Sequence, residues 1–202
     1  MTKRQTLTGK IKRSLAARGR GAFVFTDTFY FDTPEKTRVA LKRLVDNGTL
    51  MRIDKGIYYY PELDKDGESL YPGGLKIVQA YTRHKGVEFR DNDQYVANRL
   101  HLSEQVPMNA VFYTNGLNKT IHYGRLKIHL IADPYTNAFK LKGDKSRLAI
   151  YALLGVGERN VTPDKIETLR PRILADDPKT LAHNYKLAPE WVQKVFYDYH
   201  LV

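Results

Sequence analysis

The sequence contains no cysteine, which excludes a disulfide framework, thiolate metal ligands and a cysteine nucleophile. It also lacks a long apolar run. The basic start Met1-Thr2-Lys3-Arg4 meets no apolar stretch before Ala22-Phe23-Val24-Phe25, and nothing approaches the roughly 20 residues that span a bilayer. A soluble, cytoplasmic protein with no membrane partner is expected. Catalytic signatures are missing too: no Walker-type phosphate loop, no GxGxxG after a strand, no GxSxG elbow and no HExxH. The six histidines (84, 101, 122, 129, 183 and 200) lack ligand spacing, and only His122 and His129 fall on neighbouring expected strands. Neither an enzyme nor a cofactor is expected.

What the chain has in excess is positive charge, +11 over 202 residues. Residues 1–60 hold thirteen Lys/Arg against five Asp/Glu, and the rest twenty against seventeen, so most of the excess sits in under a third of the chain. Charge gathered in this way attracts polyanions and points to nucleic acid.

The same sixty residues carry an ordered set of elements. Leu7, Ile11 and Leu15 form an apolar stripe on a helix that runs from about Thr2 to Arg18. Gly19-Arg20-Gly21 ends it, because glycine accepts the left-handed geometry of a helix C-terminus. Residues 22–25 read as a short strand or an extended stretch, and Thr26-Asp27 opens a brief helix through Phe29 and Phe31. Thr33-Pro34-Glu35 is a helix start with cap, first-turn proline and an acid at the positive dipole end. That helix runs to Asn47. Two β-prone runs, 50–53 and 57–60, flank Asp54-Lys55-Gly56 and read as a hairpin. Helix, short helix, capped basic helix and basic hairpin in this order predict a winged helix-turn-helix over residues 1–61.

On helix 34–47, Thr37, Leu41, Leu44 and Val45 gather on one face, and Glu35, Lys36, Val39, Lys42, Arg43 and Asp46 on the other, with Arg38 on the flank. Such an outer face suits the major groove: Lys and Arg reach phosphates or guanine edges, and a valine can meet a thymine methyl. Arg52 and Lys55 of the hairpin are expected on flanking backbone. Arg18 and Arg20, with Lys12 and Arg13, are expected phosphate contacts. Tyr58, Tyr59 and Tyr60 either hydrogen-bond phosphate or pack beneath the hairpin.

Residues 62–74 are rich in turn formers and read as a linker. A second domain, 75–202, is expected, with helices near 75–84 and 92–100, strands at 110–114, 120–123 and 126–131, and four later helices near 144–154, 163–175, 178–186 and 189–199. The fold class is therefore α+β, with a small antiparallel sheet in the second domain. That domain is expected to bind a partner or a second copy of the chain. Glu88, Asp91 and Asp93 are the tightest carboxylate group, but Arg90 and Asn92 interleave, and the segment reads as a polar loop entering a helix.

Residues 19–25, Ala40-Leu41-Lys42-Arg43-Leu44-Val45-Asp46-Asn47-Gly48 and Arg52-Ile53-Asp54-Lys55-Gly56-Ile57-Tyr58-Tyr59 resemble the N-terminal half of the AbiEi-like antitoxins of bacterial type IV, abortive-infection toxin–antitoxin systems. The likeness continues through Asn98–Pro107, with His101 where that family often has glycine, and through Tyr113-Thr114-Asn115-Gly116 and Thr120–Gly124. The resemblance implies a winged helix that binds its own promoter as double-stranded DNA. It also implies a C-terminal domain linked to neutralising a nucleotidyltransferase-like toxin protein. Two other readings compete with this transcriptional regulator: a protein–protein module whose winged helix does not touch DNA, and a metal-dependent nuclease.

Overall fold

The computed structural model describes residues 6–29, 32–105 and 110–202. Three sequence expectations fall outside these residues: the helix start at 2–5, the short helix's end at Phe31, and the Val106-Pro107 portion of the family-like segment. Among the described residues the fold is α+β, with eight α-helices and two small sheets. Contacts divide the chain into two compact units, Met1–Lys85 with Ile121–Ile128, and Gly86–Thr120 with His129–Val202.

The first unit opens with α1 (Leu7–Arg18), capped by the Thr6 hydroxyl, which accepts from the Gly9 N–H at 3.2 Å. Ile11 and Leu15 are fully buried, and Leu7 packs beside them. Next come β1 (Phe23–Phe25) and a single 3-10 turn, Thr26–Thr28. Helix α2 (Pro34–Asp46) starts as its sequence dictates, with the Thr33 hydroxyl accepting from the Lys36 N–H at 3.4 Å. Its buried side, Thr37, Ala40, Leu41 and Leu44, joins α1, Val24, Phe29, Leu50 and Tyr58 in one cluster.

Strands β2 (Met51–Asp54) and β3 (Ile57–Tyr59) turn at Lys55-Gly56, where Gly56 takes φ +79°. A Cβ there would be strained, which is why glycine serves this turn. The sheet order is β1-β3-β2 and both pairings are antiparallel, with an irregularity between Arg52 and Asp54. Central β3 is buried at every position. Tyr58 faces the α1/α2 cluster, whereas Tyr59 lies 4.9 Å, ring to ring, from Phe23 on β1. Both tyrosines pack within the sheet's layers, so packing and not solvent contact is their role. Tyr60 is half-buried.

Helix α3 (Gly74–Lys85) buries Ile77, Val78 and Tyr81. The sequence reading assigns it to the second domain, but its contacts group it with the first unit. Tyr81 packs 6.1 Å from the Phe25 ring, His84 stacks on Phe25 at 3.8 Å, and Asp27 receives both His84 Nε2 at 2.7 Å and Lys85 Nζ at 3.0 Å. Residues 62–74, expected as a linker, fold back on themselves. Leu63 bridges Ser69 in antiparallel register, and the Leu70 N–H donates to the Glu62 carbonyl at 2.8 Å. Ile121–Ile128 also belongs to this unit: Asp54 Oδ2 accepts from the His122 N–H at 3.3 Å, and Leu126 closes on Gly74.

The remaining elements are β4 (Phe89–Asp91), α4 (Asp93–Arg99), β5 (Ala110–Thr114), β6 (Lys119–Tyr123), β7 (Leu126–Ala132), α5 (Ser146–Val156), α6 (Pro163–Leu174), α7 (Pro178–Leu187) and α8 (Glu190–Asp198). The second sheet has the order β4-β5-β7-β6. Strand β4 corrects the expected polar loop at 88–93. It pairs antiparallel with β5, placing Arg90 opposite Tyr113, and Phe89 meets Phe112 edge-on at 5.8 Å. Three residues are too few to show a period in sequence.

Helix α5 is the core of the second unit, with Ala149, Ile150, Tyr151, Ala152 and Leu153 all buried. It meets α4 so closely that a Cβ on Gly155 would stand 2.1 Å from the Asp93 carbonyl oxygen. No side chain could be added there without moving backbone. The α5 N-terminus has no cap of its own. Asp176, thirty residues later, supplies one: its Oδ2 accepts from the Ser146 N–H at 2.9 Å and the Ser146 hydroxyl at 2.5 Å. Fully buried Asn184 completes the network, donating to Ser146 Oγ and the Lys142 carbonyl and accepting from the Lys142 N–H, each at 2.8 Å.

Two helices end in the same way. After α4, the His101 N–H donates to the Asn98 carbonyl and the Leu102 N–H to the Ala97 carbonyl, both at 2.9 Å. After α8, the His200 N–H donates to the Tyr197 carbonyl and the Leu201 N–H to the Phe196 carbonyl. This paired pattern needs a left-handed residue at its centre. His101 (φ +61°) and His200 (φ +52°) occupy it.

Candidate nucleic-acid interface

The outer face of α2 is built by what its inner face buries. With Thr37, Ala40, Leu41 and Leu44 in the core, Lys36, Val39, Lys42 and Arg43 are left exposed together. Val39 keeps 52% of its surface exposed and stands among these cations. Lys36 Nζ reaches Asp32 at 3.0 Å, Lys42 Nζ reaches Asp46 at 2.7 Å, and Arg38 stands 3.9 Å from Glu35. Hydrogen bonds from the Thr33 N–H and from Lys36 hold the Asp32 carboxyl below its ordinary value. All three pairs are solvent-exposed and local, the class whose strength is about 0–1 kcal/mol. They hold the cations in place without committing them. Arg43 has no ion pair with any described residue.

On the hairpin, Arg52 and Lys55 are both exposed. Asp54 fixes the turn, its Oδ1 accepting from the Lys55 N–H at 2.7 Å. The four N-terminal candidates divide. Lys12 and Arg13 are exposed on α1. Arg20 is engaged internally: its Nη1 donates to the Pro61 carbonyl at 2.8 Å, and its guanidinium lies 5.0 Å from the Tyr60 ring centre. It lines one cleft with Lys12 and residues 47–49. Arg18 is exposed, with its guanidinium 5.9 Å from the Phe29 ring centre, and it lines a different cleft, beside β1 and α3. The structure therefore gathers the α2 set on one face, and does not gather Arg18 and Arg20 into one cleft.

The sequence reading assigns no role to Lys76, Arg83 and His84 on α3. The signal for Arg83 and His84 was the basic last turn Arg83-His84-Lys85; nothing local marks Lys76. Lys76 Nζ meets Glu62 at 2.9 Å, which raises the lysine and, together with the Tyr59 hydroxyl, lowers the carboxyl.

The carboxylate group at 88–93 is dispersed. Asp93 pairs with Arg90, Asp91 with Arg99 at 3.3 Å, and Glu88 is exposed. His122 is exposed, while His129 Nδ1 sits 3.2 Å from the Thr120 hydroxyl. Among the described residues no three His, Asp or Glu side chains stand together in a way that could hold a metal ion. No described helix is long and apolar enough to cross a membrane.

No curated protein matches the sequence. The model of DUF6088, a family of unknown function, matches residues 10–180, and the chain belongs to that family.

Proposed function

We propose that residues 7–60 form a winged helix-turn-helix that binds duplex DNA, with α2 as the recognition helix and the β2–β3 turn as the wing, and that the chain is a non-enzymatic transcriptional regulator. The observation that carries this reading is the outer face of α2. Lys36, Val39, Lys42 and Arg43 stand exposed together, the two lysines held only by exposed local ion pairs, directly opposite a fully buried face. The element order supports it: a helix, a strand, a single 3-10 turn, a capped helix and a hairpin within sixty residues. So does the concentration of positive charge in that segment. Arg52 and Lys55 would bind flanking phosphate, and Lys12 and Arg13 would add to the electrostatic footprint.

The sequence resemblance to AbiEi-like antitoxins extends the proposal. The DNA would be the chain's own promoter, and the second unit would act on a nucleotidyltransferase-like toxin. One winged helix reads few base pairs, so the proposal includes binding as a homodimer or in tandem, and a palindromic site would support the dimer.

The test is fluorescence anisotropy with DNA from upstream of the gene and with random duplex, across salt. Tighter binding to the upstream DNA, with a log–log salt slope near −5 for about six phosphates, supports the regulator. Equal weak binding or none sinks it and leaves a protein-binding module. The antitoxin extension is tested separately, by co-expression with the adjacent gene product. It fails if that product is not toxic alone, or if this chain does not relieve its toxicity.

A further inference from the structure

A cleft of about 430 Å3 lies between β1 and the polar side of α3, within the first unit. Phe23 and Phe25, with Ala22 and Ala80, give it an apolar floor, and Arg18, Lys76 and Arg83 give it a cationic rim. The cations are not equivalent. Lys76 is matched by Glu62, and His84 by Asp27. Arg18 and Arg83 have no carboxylate partner among the described residues, although both line the same concavity. On α2 of the same unit, Lys36, Arg38 and Lys42 each have one and Arg43 does not, but Arg43 lies outside this cleft and its apolar floor. Two guanidinium groups without a carboxylate thus line the same concavity as the Phe23 and Phe25 rings.

The walls are preorganised. His84 stacks on Phe25 with their planes 8° apart and is held by Asp27 at 2.7 Å, which fixes the last turn of α3 against β1. At Gly21, φ is +85°, and a Cβ would stand 2.7 Å from Glu62 Oε1. Glycine there leaves room for Glu62, which holds Lys76 at the cleft's edge. A guanidinium binds phosphate or carboxylate oxygens in a fork, and a half-buried ring offers a stacking surface of about one aromatic group. The volume falls within the range of about 300–1,000 Å3 that small-molecule sites occupy. A duplex backbone would leave the apolar floor unused.

We propose that this cleft binds a small aromatic anion, of the nucleoside monophosphate or aryl carboxylate class, with Arg18 and Arg83 on its charged group and Phe23 under its ring. The inference stands independently of α2 and of DNA binding.

Isothermal titration calorimetry on the full chain tests it, with nucleoside 5′-monophosphates in one arm and aryl carboxylates in the other. Inorganic phosphate and uncharged nucleosides serve as controls. The expected result is saturable one-to-one binding in one arm, weakened about tenfold or more by Arg83→Ala and by Arg18→Ala. Both residues are exposed, and an unchanged Tm verifies that the variants fold. Absence of saturable binding in both arms at low-millimolar ligand overturns the proposal. So does wild-type affinity in both variants. Binding of inorganic phosphate as tight as that of the aromatic anion overturns it as well, because the floor would then contribute nothing.

Discussion

Arg90 grips Asp133 with two parallel hydrogen bonds, Nε to Oδ2 at 2.5 Å and Nη2 to Oδ1 at 3.1 Å, in the interior of the second unit. Asp133 has only 3% of its side chain exposed and Arg90 8%. The guanidinium also donates to Asp93 Oδ1 at 2.5 Å and lies 3.9 Å from the Tyr151 ring centre and 4.8 Å from that of Tyr113. Two carboxylates thus share one cation between two aromatic faces.

Removing that cation is the most damaging single change in this cluster. Arg90→Ala leaves two buried carboxylates facing each other and is expected to cost about 3–5 kcal/mol in urea unfolding. Arg90→Lys keeps the charge but loses the fork and the stacking, so it recovers only part of the loss. The two aspartates are unequal. Burial pushes the Asp93 carboxyl up despite Arg90, so its charge is poorly supported. Asp93→Asn, which keeps an acceptor for Arg90, is expected to be well tolerated, and Asp133→Asn not. Equal losses for the two asparagine variants would show that the pairing with Asp133 is not the dominant one.

His101 supplies a gain in stability rather than a loss. It sits at φ +61° between two hydrogen bonds that end α4, with Leu102 buried just beyond. A left-handed non-glycine residue costs about 1–2 kcal/mol, and glycine's greater freedom in the unfolded chain offsets part of the relief. His101→Gly is therefore expected to stabilise by about 0.5–1 kcal/mol, and His101→Val to destabilise by at least as much. Thermal melting of the three proteins checks the order, and a less stable glycine variant would mean that the imidazole makes a contact worth more than the strain.

Asp176 makes the second unit acid-sensitive. Burial raises its carboxyl, but the Ser146 hydroxyl and amide and the Asp177 amide outweigh burial and hold it below the ordinary value of 3.8. The folded carboxyl thus gives up its charge at lower pH than the unfolded one. Its stabilisation is complete well above the unfolded value of 3.8, drains as pH falls from there through the lower folded value, and is gone below it. Asp176→Asn keeps an acceptor for α5 but does not titrate. Its stability is expected to fall less steeply than wild type as pH drops from about 5 to about 2. Parallel curves would assign the acid sensitivity elsewhere, with Asp27, which burial raises but Lys85 and His84 together hold low, the next group to replace.

What the sequence makes legible here is local. Thr33-Pro34 starts α2 as written, and the Leu7/Ile11/Leu15 spacing turns inward as a stripe. The outer face of α2 follows from the same period. What it hides is carried by distant residues. The cap on α5 comes from Asp176, thirty positions away, so no local signal marks it. Arg20 reads as a free phosphate contact, yet the Pro61 carbonyl, forty-one positions on, captures it. Helix α3 looks like the start of a new domain because the turn-rich stretch before it looks like a linker. Phe25 and Asp27 hold it to the first unit through Tyr81, His84 and Lys85.

The DNA contact proposed for α2 can be divided into base reading and charge attraction by variants at Arg43 and Lys42. Lys42 is tethered to Asp46 at 2.7 Å, whereas Arg43, beside exposed Val39, has no ion pair with a described residue. An untethered guanidinium can fork onto a guanine edge without first giving up a partner. Arg43→Ala is expected to weaken binding to the chain's own promoter by about 1–3 kcal/mol and leave random-duplex affinity nearly unchanged. Lys42→Ala should instead lower both together and reduce the salt slope by about one. Anisotropy titrations of the two variants on both DNAs read the difference directly. If Arg43→Ala lowers both affinities in parallel, Arg43 is a phosphate contact, and any sequence preference must come from Val39, Lys36 or the shape of the site.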